Sequence, residues 1–428
     1  MLKLKRRALL LATGSGVTSA TLGCGSKTGE PAREGVDVSV MLPTATAIES
    51  ARAAASAGSS QAEAAGREWV VGAYLPLTGS DSQFGAETRQ GIELALDAIN
   101  SAGGVRERKL RVVFADDKSA PTEVSKVVRD LIERDHVLAL IGEVASARSI
   151  AGALIASQKR VPMITPSSTN ATVTAAGDYA FRTCFIDEAQ GAAAAEFAVR
   201  VRKLRKLAMV FAENDVYSTL LAESFRTSVK SFGAKIVVEK KVDDSSLDFA
   251  AVVKDLKAAA PYMIYAPLYY RQMLALGREA KRAGIDGSMF LGGDGWSGDQ
   301  RLLDELEGGY FTDHWAEGFP TAVSKRFVTA YRDRYAAAPT SLAAAGYDAT
   351  RVLVDAMTRA RTLGGEQLRE ALAATRAFPG VTGPITINDA RDSDKPLSVV
   401  QIVNKTARYV DVVGPGADVV RAEAKSAP

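Results

Sequence analysis

From residue 69 onward, short apolar runs alternate with stretches whose apolar side chains recur every three or four positions. The run 69–75 ends at Pro76 and predicts a buried strand. Within 84–100, Ile92, Ala95, Leu96 and Ile99 fall on one helical face, and Gly103-Gly104 stops the helix. The same alternation predicts strands at 110–115, 137–141, 161–165, 207–212, 235–241, 262–265 and 289–291. Helices are expected at 121–133 and 148–158, and others start at 218, 247 and 271. After an apolar segment at 309–313 come helices at 322–335 and 343–360, then late strands at 381–387 and 399–403. Strands and helices joined by a few residues imply parallel sheets covered by helices on both faces. So many strands split into two sheets, and the more polar stretch 182–190 is the natural break. Strands placed so late mean that the chain crosses between lobes more than once. The expected fold class is α/β, two doubly wound parallel-sheet lobes joined by a multi-strand hinge, with a cleft between them.

The first 68 residues follow other rules. Residues 1–23 carry Lys3, Lys5, Arg6 and Arg7, then a short apolar run and small residues, the layout of an export signal rather than a membrane span. The paired Arg6-Arg7 also permits the twin-arginine route. Leu22-Gly23-Cys24 resembles the end of a bacterial lipobox, whose Cys is acylated, with Thr21 where that pattern prefers Leu. The alternative is a soluble export signal with an incidental Cys. Residues 24–68, rich in Ala, Ser, Gly and Thr, read as a flexible tether, with one stray candidate strand at 38–42. The chain has 53 Lys+Arg against 50 Asp+Glu, but all four cations of the leader are unmatched, and the remainder stands at 49 against 50. That balance gives no reason to expect nucleic acid or an anionic membrane as a partner. Cys184 is the one other cysteine, so an internal disulfide is not expected and stability must come from core burial.

In open parallel sheets ligands sit beyond the carboxyl ends of the strands, which selects the loops to search for chemistry. An enzyme site is not found there. His136 and His314 have no second His or Cys at ligand spacing, so structural or surface roles are expected for both and no metal. Neither a phosphate loop nor a GxSxG elbow occurs, and no cofactor is implied. A binding site fares better. Ser146 lies where a strand gives way to a helix, among exposed N–H groups that suit a carboxylate. Ser167, Ser168 and Thr169 add hydroxyls after the next strand, although helix capping would explain them equally. Asp294 stands among glycines, beside Trp296, and Tyr217, Tyr269, Tyr270 and Phe84 lie on the same rim. Hydroxyls on one lobe with a carboxylate and aromatics on the other would suit a small zwitterion; the aromatics packing merely between loops is the alternative.

These residues lie within an ordered set of short matches: Leu77-Thr78-Gly79, Phe84-Gly85, Asp97-Ala98-Ile99-Asn100, Asp116-Asp117, Ile141-Gly142, Met163-Ile164-Thr165-Pro166, Phe181-Arg182, Gln190-Gly191, Leu291-Gly292-Gly293-Asp294-Gly295 and Val381-Thr382-Gly383-Pro384. Over about residues 69–413 the chain resembles the periplasmic substrate-binding proteins of branched-chain amino acid ABC transporters, the Leu/Ile/Val-binding type. The resemblance implies a type I periplasmic binding protein. Its lobes would comprise 69–187 with 318–395 and 188–317 with 396–415, leaving a tail at 416–428. It implies that Ser146 and Thr169 bind the ligand carboxylate, that the Ser167 carbonyl takes the ammonium, and that Asp294 is its counter-charge. Tyr217 and Tyr269 would close over the ligand and Phe84 would line the other lobe, with Arg148 adding charge for the anion. Leucine-binding members carry Glu where Asp294 stands, and the disulfide of some members is absent because Ser119 and Ala145 occupy those regions. The implied protein is a monomeric receptor in the periplasm or at the outer face of the cytoplasmic membrane, anchored by lipid alone and serving a membrane permease. A sensor of the same fold, taking an amide, urea or an aromatic acid and signalling to a partner protein, remains the alternative. A hydrolase using Asp294 as base for Ser146 is disfavoured, because the loops would place the two on opposite lobes.

Overall fold

A computed structural model describes residues 68–297 and 300–426. The export signal, Cys24, the candidate strand at 38–42 and the tether up to residue 67 lie outside these residues, while Glu68 already belongs to the first strand. Two sheets organise the fold. The N-terminal lobe starts with β1 (Glu68–Leu75), α1 (Ser82–Ser101), β2 (Lys109–Asp116), α2 (Pro121–Glu133) and β3 (Leu140–Ile141). It continues with α3 (Ser146–Gln158), β4 (Met163–Thr165), α4 (Thr172–Ala175) and β5 (Ala180–Arg182). Its five strands run in the order β2-β1-β3-β4-β5, every neighbouring pair parallel. Residues 71 to 75 of β1 are buried, as expected of a strand covered on both faces.

The chain then passes to the C-terminal lobe. There it forms α5 (Asp187–Glu196), a π-helical turn (Phe197–Val201), β6 (Lys206–Ala212), α6 (Val216–Ser231) and β7 (Lys235–Val242). α7 (Ala250–Ala259), β8 (Met263–Tyr265), α8 (Tyr270–Arg282) and β9 (Phe290–Gly292) follow. A 3-10 turn (Asp294–Trp296), α9 (Gln300–Glu305) and β10 (Tyr310–Asp313) complete this pass. The chain returns to the first lobe for α10 (Ala322–Tyr335), α11 (Ser341–Arg359), α12 (Gly365–Ala373) and a small antiparallel sheet of β11 (Phe378–Gly380), β12 (Gly383–Ile387) and β13 (Ser393–Asp394). A last crossing adds β14 (Leu397–Val403) and β15 (Thr406–Val413), and α13 (Ala417–Ser426) ends the described chain. The second sheet runs β15-β14-β10-β9-β8-β6-β7, with β14 antiparallel to both β10 and β15. The hinge is thus three segments, at 183–186, 314–321 and 395–396.

α11 is the inner helix of the first lobe. Nearly all of its side chains from Ser341 to Met357 are buried, and it lies across α1. The backbones meet there so closely that a Cβ at Gly91 would fall 1.9 Å from the Ala343 carbonyl oxygen. Only glycine admits that approach.

The structure departs from the sequence pattern in several places. The strand expected at 381–387 begins at Gly383, as the second arm of a hairpin with β11, because the Asp348 carboxylate accepts the N–H groups of Val381 and Thr382 at 2.8 Å each and bends the chain before Gly383 (φ +103°). The expected tail at 416–428 contains α13, whose Val420 is fully buried. Helices expected from 148 and 218 begin two residues earlier. For α6 the Asp215 carboxylate accepts the Ser218 N–H at 2.7 Å and so caps the helix.

Candidate functional site

The helix start at residue 146 matters for chemistry. Ala145 precedes α3 and offers no side-chain cap, so the first-turn N–H groups remain for another acceptor. Ser146 is fully buried in that turn; its Oγ accepts the Asn170 N–H at 3.2 Å and keeps its own proton to donate. The loop after β4 carries Ser167, whose Oγ donates to the Val144 carbonyl at 3.3 Å. From the other lobe comes Asp294, first residue of the 3-10 turn after β9. One narrow cavity is lined by Phe84, Ser146, Ser167, Thr169, Tyr217, Tyr269 and Asp294, with Val144, Gly295 and Leu342. Ser146 and Asp294, expected on opposite lobes, come from opposite lobes and face one space.

Asp294 is held from two sides. The Tyr217 hydroxyl donates to Oδ1 at 3.0 Å and itself accepts the Gly295 N–H at 2.9 Å. On the other side His314 Nε2 lies 3.1 Å from Oδ2, a close contact without the alignment of a full hydrogen bond. Tyr217 stacks on Tyr269 with ring centres 4.9 Å apart, and Phe84 meets Tyr269 edge-on at 5.9 Å. The glycines around Asp294 are sterically required: a Cβ at Gly292 would sit 2.0 Å from the Trp296 ring, and one at Gly295 2.9 Å from the Tyr217 hydroxyl. Contacts also tie the lobes across the cleft. The Tyr270 hydroxyl donates to the Ser80 carbonyl at 2.8 Å, and the Asn170 amide donates to the Val216 carbonyl at 2.9 Å.

Burial sets the charge balance beneath the cavity. It pushes Asp187 well above the usual carboxylate range and Asp313 up to about 8, so both favour the neutral acid. It pulls His314 below its ordinary value, against the opposing pull of Asp294, and so favours the neutral imidazole. The raised Asp313 carboxyl gives a stability prediction. Asp313, pushed up to about 8 by burial, holds a proton in the folded state that the unfolded chain has already released. Stability therefore falls as pH rises from the ordinary carboxylate range toward about 8. His314 acts in the opposite sense, and only on the acid side of its ordinary value of 6.5. Thermal melts from about pH 6.5 to about pH 8 should show a declining Tm, with a shallower decline for Asp313→Asn. Equal slopes would contradict the assignment.

Three expected site residues do not reach the cavity. Trp296 is turned away by the 3-10 turn; its Nε1 donates to the Ala266 carbonyl at 2.9 Å, and its ring lines a different interlobe cavity with Phe311 and Trp315. Arg148 is taken up by carboxylates, with Asp81 at 2.8 Å, Glu143 at 3.0 Å and Asp117 at 3.8 Å, which leaves it no free charge for a ligand. The Ser168 hydroxyl faces inward onto the carbonyls of Glu143 and Val144 at 3.0 and 2.9 Å. Two residues given no site role in the sequence reading do act on the site. His314 touches Asp294, and Arg182 at the end of β5 donates to the carbonyls of Ser168 and Asn170 at 2.6 and 2.7 Å, fixing the loop that carries Thr169. Arg182 also pairs with Asp392 at 2.6 Å, a partner 210 positions away that no spacing rule connects to it. Cys184 is free and buried, and burial pushes its thiol up to about 12. Among the described residues, no group of three or more His, Cys, Asp or Glu could hold a metal, and no helix is long and apolar enough to cross a membrane.

Comparison with known proteins places this geometry. An amino acid binding protein of Pseudomonas aeruginosa is 30% identical over 53% of this chain, and the match spans 60% of that protein's length. The crystal structure of a leucine binding protein from Thermotoga maritima superposes with a TM-score of 0.75 at 33% identity, covering 81% of this chain and 99% of that one. A Rhodopseudomonas palustris solute binding protein of an ABC transporter, solved with 3,4-dihydroxybenzoic acid, superposes at 0.74 over 82% of this chain and 99% of that one; at 22% identity it shows a shared fold alone. The family model described as periplasmic binding protein matches residues 68–407. The chain therefore belongs to the periplasmic binding protein family, as a solute-binding protein of the ABC transporter type with the type I fold.

Proposed function

We propose that the chain is the extracytoplasmic receptor of an ABC importer and captures a small amino acid, or a close analogue, by closure of its two lobes. The observation that carries this reading is one cavity with hydroxyls and free helix N–H groups on one wall and the Asp294 carboxylate on the other. The first wall suits a carboxylate and the second an ammonium. The space is narrow, so a ligand the size of leucine enters when the lobes part and is buried when they meet. The contacts of Tyr270 with Ser80 and of Asn170 with Val216 would hold the closed form. In this reading the protein works as a monomer, is tethered through an acylated Cys24 and hands its ligand to a membrane permease. A purely anionic aromatic acid would set a second negative charge against Asp294, and no contact in the cavity favours a signalling role over delivery.

Calorimetry separates the ligand classes. L-Leucine should bind at least about 30-fold more tightly than 4-methylpentanoate, which lacks only the amine, since an unpaired buried charge costs about 2 kcal/mol or more. Equal affinities, or tighter binding of benzoate than of any amino acid tested, would overturn the reading.

A further inference from the structure

We propose that His314 is a positioning residue for Asp294: a neutral imidazole that presents its Nε2–H to the ammonium-recognising carboxylate and joins it to the hinge. The inference rests on the reading that Asp294 meets a ligand cation. His314 is the first residue after β10, fully buried, where the chain leaves for the other lobe. Its ring packs on Phe185 at 4.6 Å, and Phe185 lies in another of the crossing segments. One oxygen of Asp294 is already engaged by the Tyr217 hydroxyl, and His314 Nε2 stands 3.1 Å from the other. Were the proton on Nδ1, an Nε2 lone pair would face a carboxylate oxygen at that distance, so the Nε2–H form is selected. Among the described residues neither ring nitrogen makes an aligned hydrogen bond, and Asp294 is the charged group that approaches Nε2. The site thereby gains orientation for Asp294 without a competing cation, and the pair keeps one negative charge for the ligand.

The charged and titratable groups facing this arrangement are Asp294 itself, Lys395 from the third crossing segment and, on the same strand, Asp313, whose Oδ1 accepts the His314 backbone N–H at 2.6 Å. Asp187 faces Asp294 from the start of α5. Burial and Lys395 oppose an imidazolium, and Asp294 favours one. When acid does protonate His314, the imidazolium neutralises Asp294 and confronts the ligand's ammonium. Binding of an amino acid therefore weakens on acidification, by up to about tenfold per pH unit once His314 titrates.

The test uses the full chain and two readouts. The sequence contains two histidines, so nitrogen-detected NMR, with His136→Gln for assignment, isolates His314 without any ligand. The Nε2–H tautomer is expected, with a titration that moves to lower pH in Asp294→Asn; an Nδ1–H tautomer, or a titration indifferent to that change, overturns the proposal. L-Leucine titrations from about pH 5 to about pH 8 give the second readout. His314→Gln, which retains an N–H in place of Nε2, should bind within about threefold of the parent near pH 8 and lose the acid dependence, while His314→Leu should bind about tenfold more weakly than the parent near pH 8 and also lose the acid dependence. Parent-like binding by His314→Leu, or an unchanged acid dependence in His314→Gln, would also overturn it. Should leucine fail to bind the parent, the amino acid reading fails, whereas the NMR result still decides whether His314 serves Asp294.

Discussion

Asp294→Ala is expected to weaken binding of an α-amino acid by at least about 30-fold. Asp294 is 9% exposed before any ligand arrives, and its buried neighbours Asp187 and Asp313 are held toward the neutral acid. It is therefore the carboxylate available to compensate an ammonium in the cavity. Removing one member of such a pair leaves the other charge desolvated and unpaired, at a cost of about 2–5 kcal/mol. Since about 1.4 kcal/mol is a factor of ten, the lower bound is about 30-fold. Asp294→Asn, which keeps the shape and the contact with Tyr217, should lose nearly as much, because charge and not packing carries the effect. Calorimetry with L-leucine checks both variants. Retained affinity in either would reject Asp294 as the ammonium's partner, and 4-methylpentanoate, which no longer leaves Asp294 unpaired, should bind the variants at least as well as the parent if the anion wall is intact.

The second large effect is on stability. Arg182→Leu should destabilise the fold by about 3–5 kcal/mol, the range for breaking a buried ion pair by removing one partner. Arg182 is fully buried and serves Asp392, the carbonyls of Ser168 and Asn170, and the Thr174 hydroxyl at 3.2 Å. Its loss strands the Asp392 carboxylate and frees the loop that carries Thr169 into the cavity. A fall in Tm of roughly 4–7 °C follows for a body of this size. Arg182→Lys should not rescue it, because one ammonium cannot reproduce the planar fork that reaches four separate acceptors. A parent-like melt of Arg182→Lys would show that the guanidinium geometry is dispensable.

The fold class was readable because buried parallel strands must be nearly continuous apolar runs and their helices must be amphipathic; β1 and α1 carry both signals plainly. What escaped had weak local signals. β15 lies at a sheet edge with alternate side chains exposed, so Thr406–Val413 has no apolar run to betray it. β5 spans three residues and vanishes into the polar stretch expected to mark the break. Within the site, the rule that loops follow the carboxyl ends of strands brought Ser146, Ser167 and Thr169 into view, together with Asp294 and Tyr217. It could not say which way a side chain points. Trp296 and Ser168 stand beside cavity residues and face elsewhere. Arg148 was misjudged because its three carboxylate partners come from separate loops. His314 and Arg182 were passed over because their partners in space are set by the return of the chain, not by spacing.

That return also dictates an order of events at the ribosome. α11, which packs on α1 and supplies much of the first lobe's interior, emerges only after β6 to β10 have been made. The usual sequence, in which the N-terminal unit folds while the rest is still being synthesised, is therefore closed to this chain. The first lobe is complete only once β13 has been made, and the second only with the last crossing strands β14 and β15, so neither can close while the middle of the chain is still being synthesised.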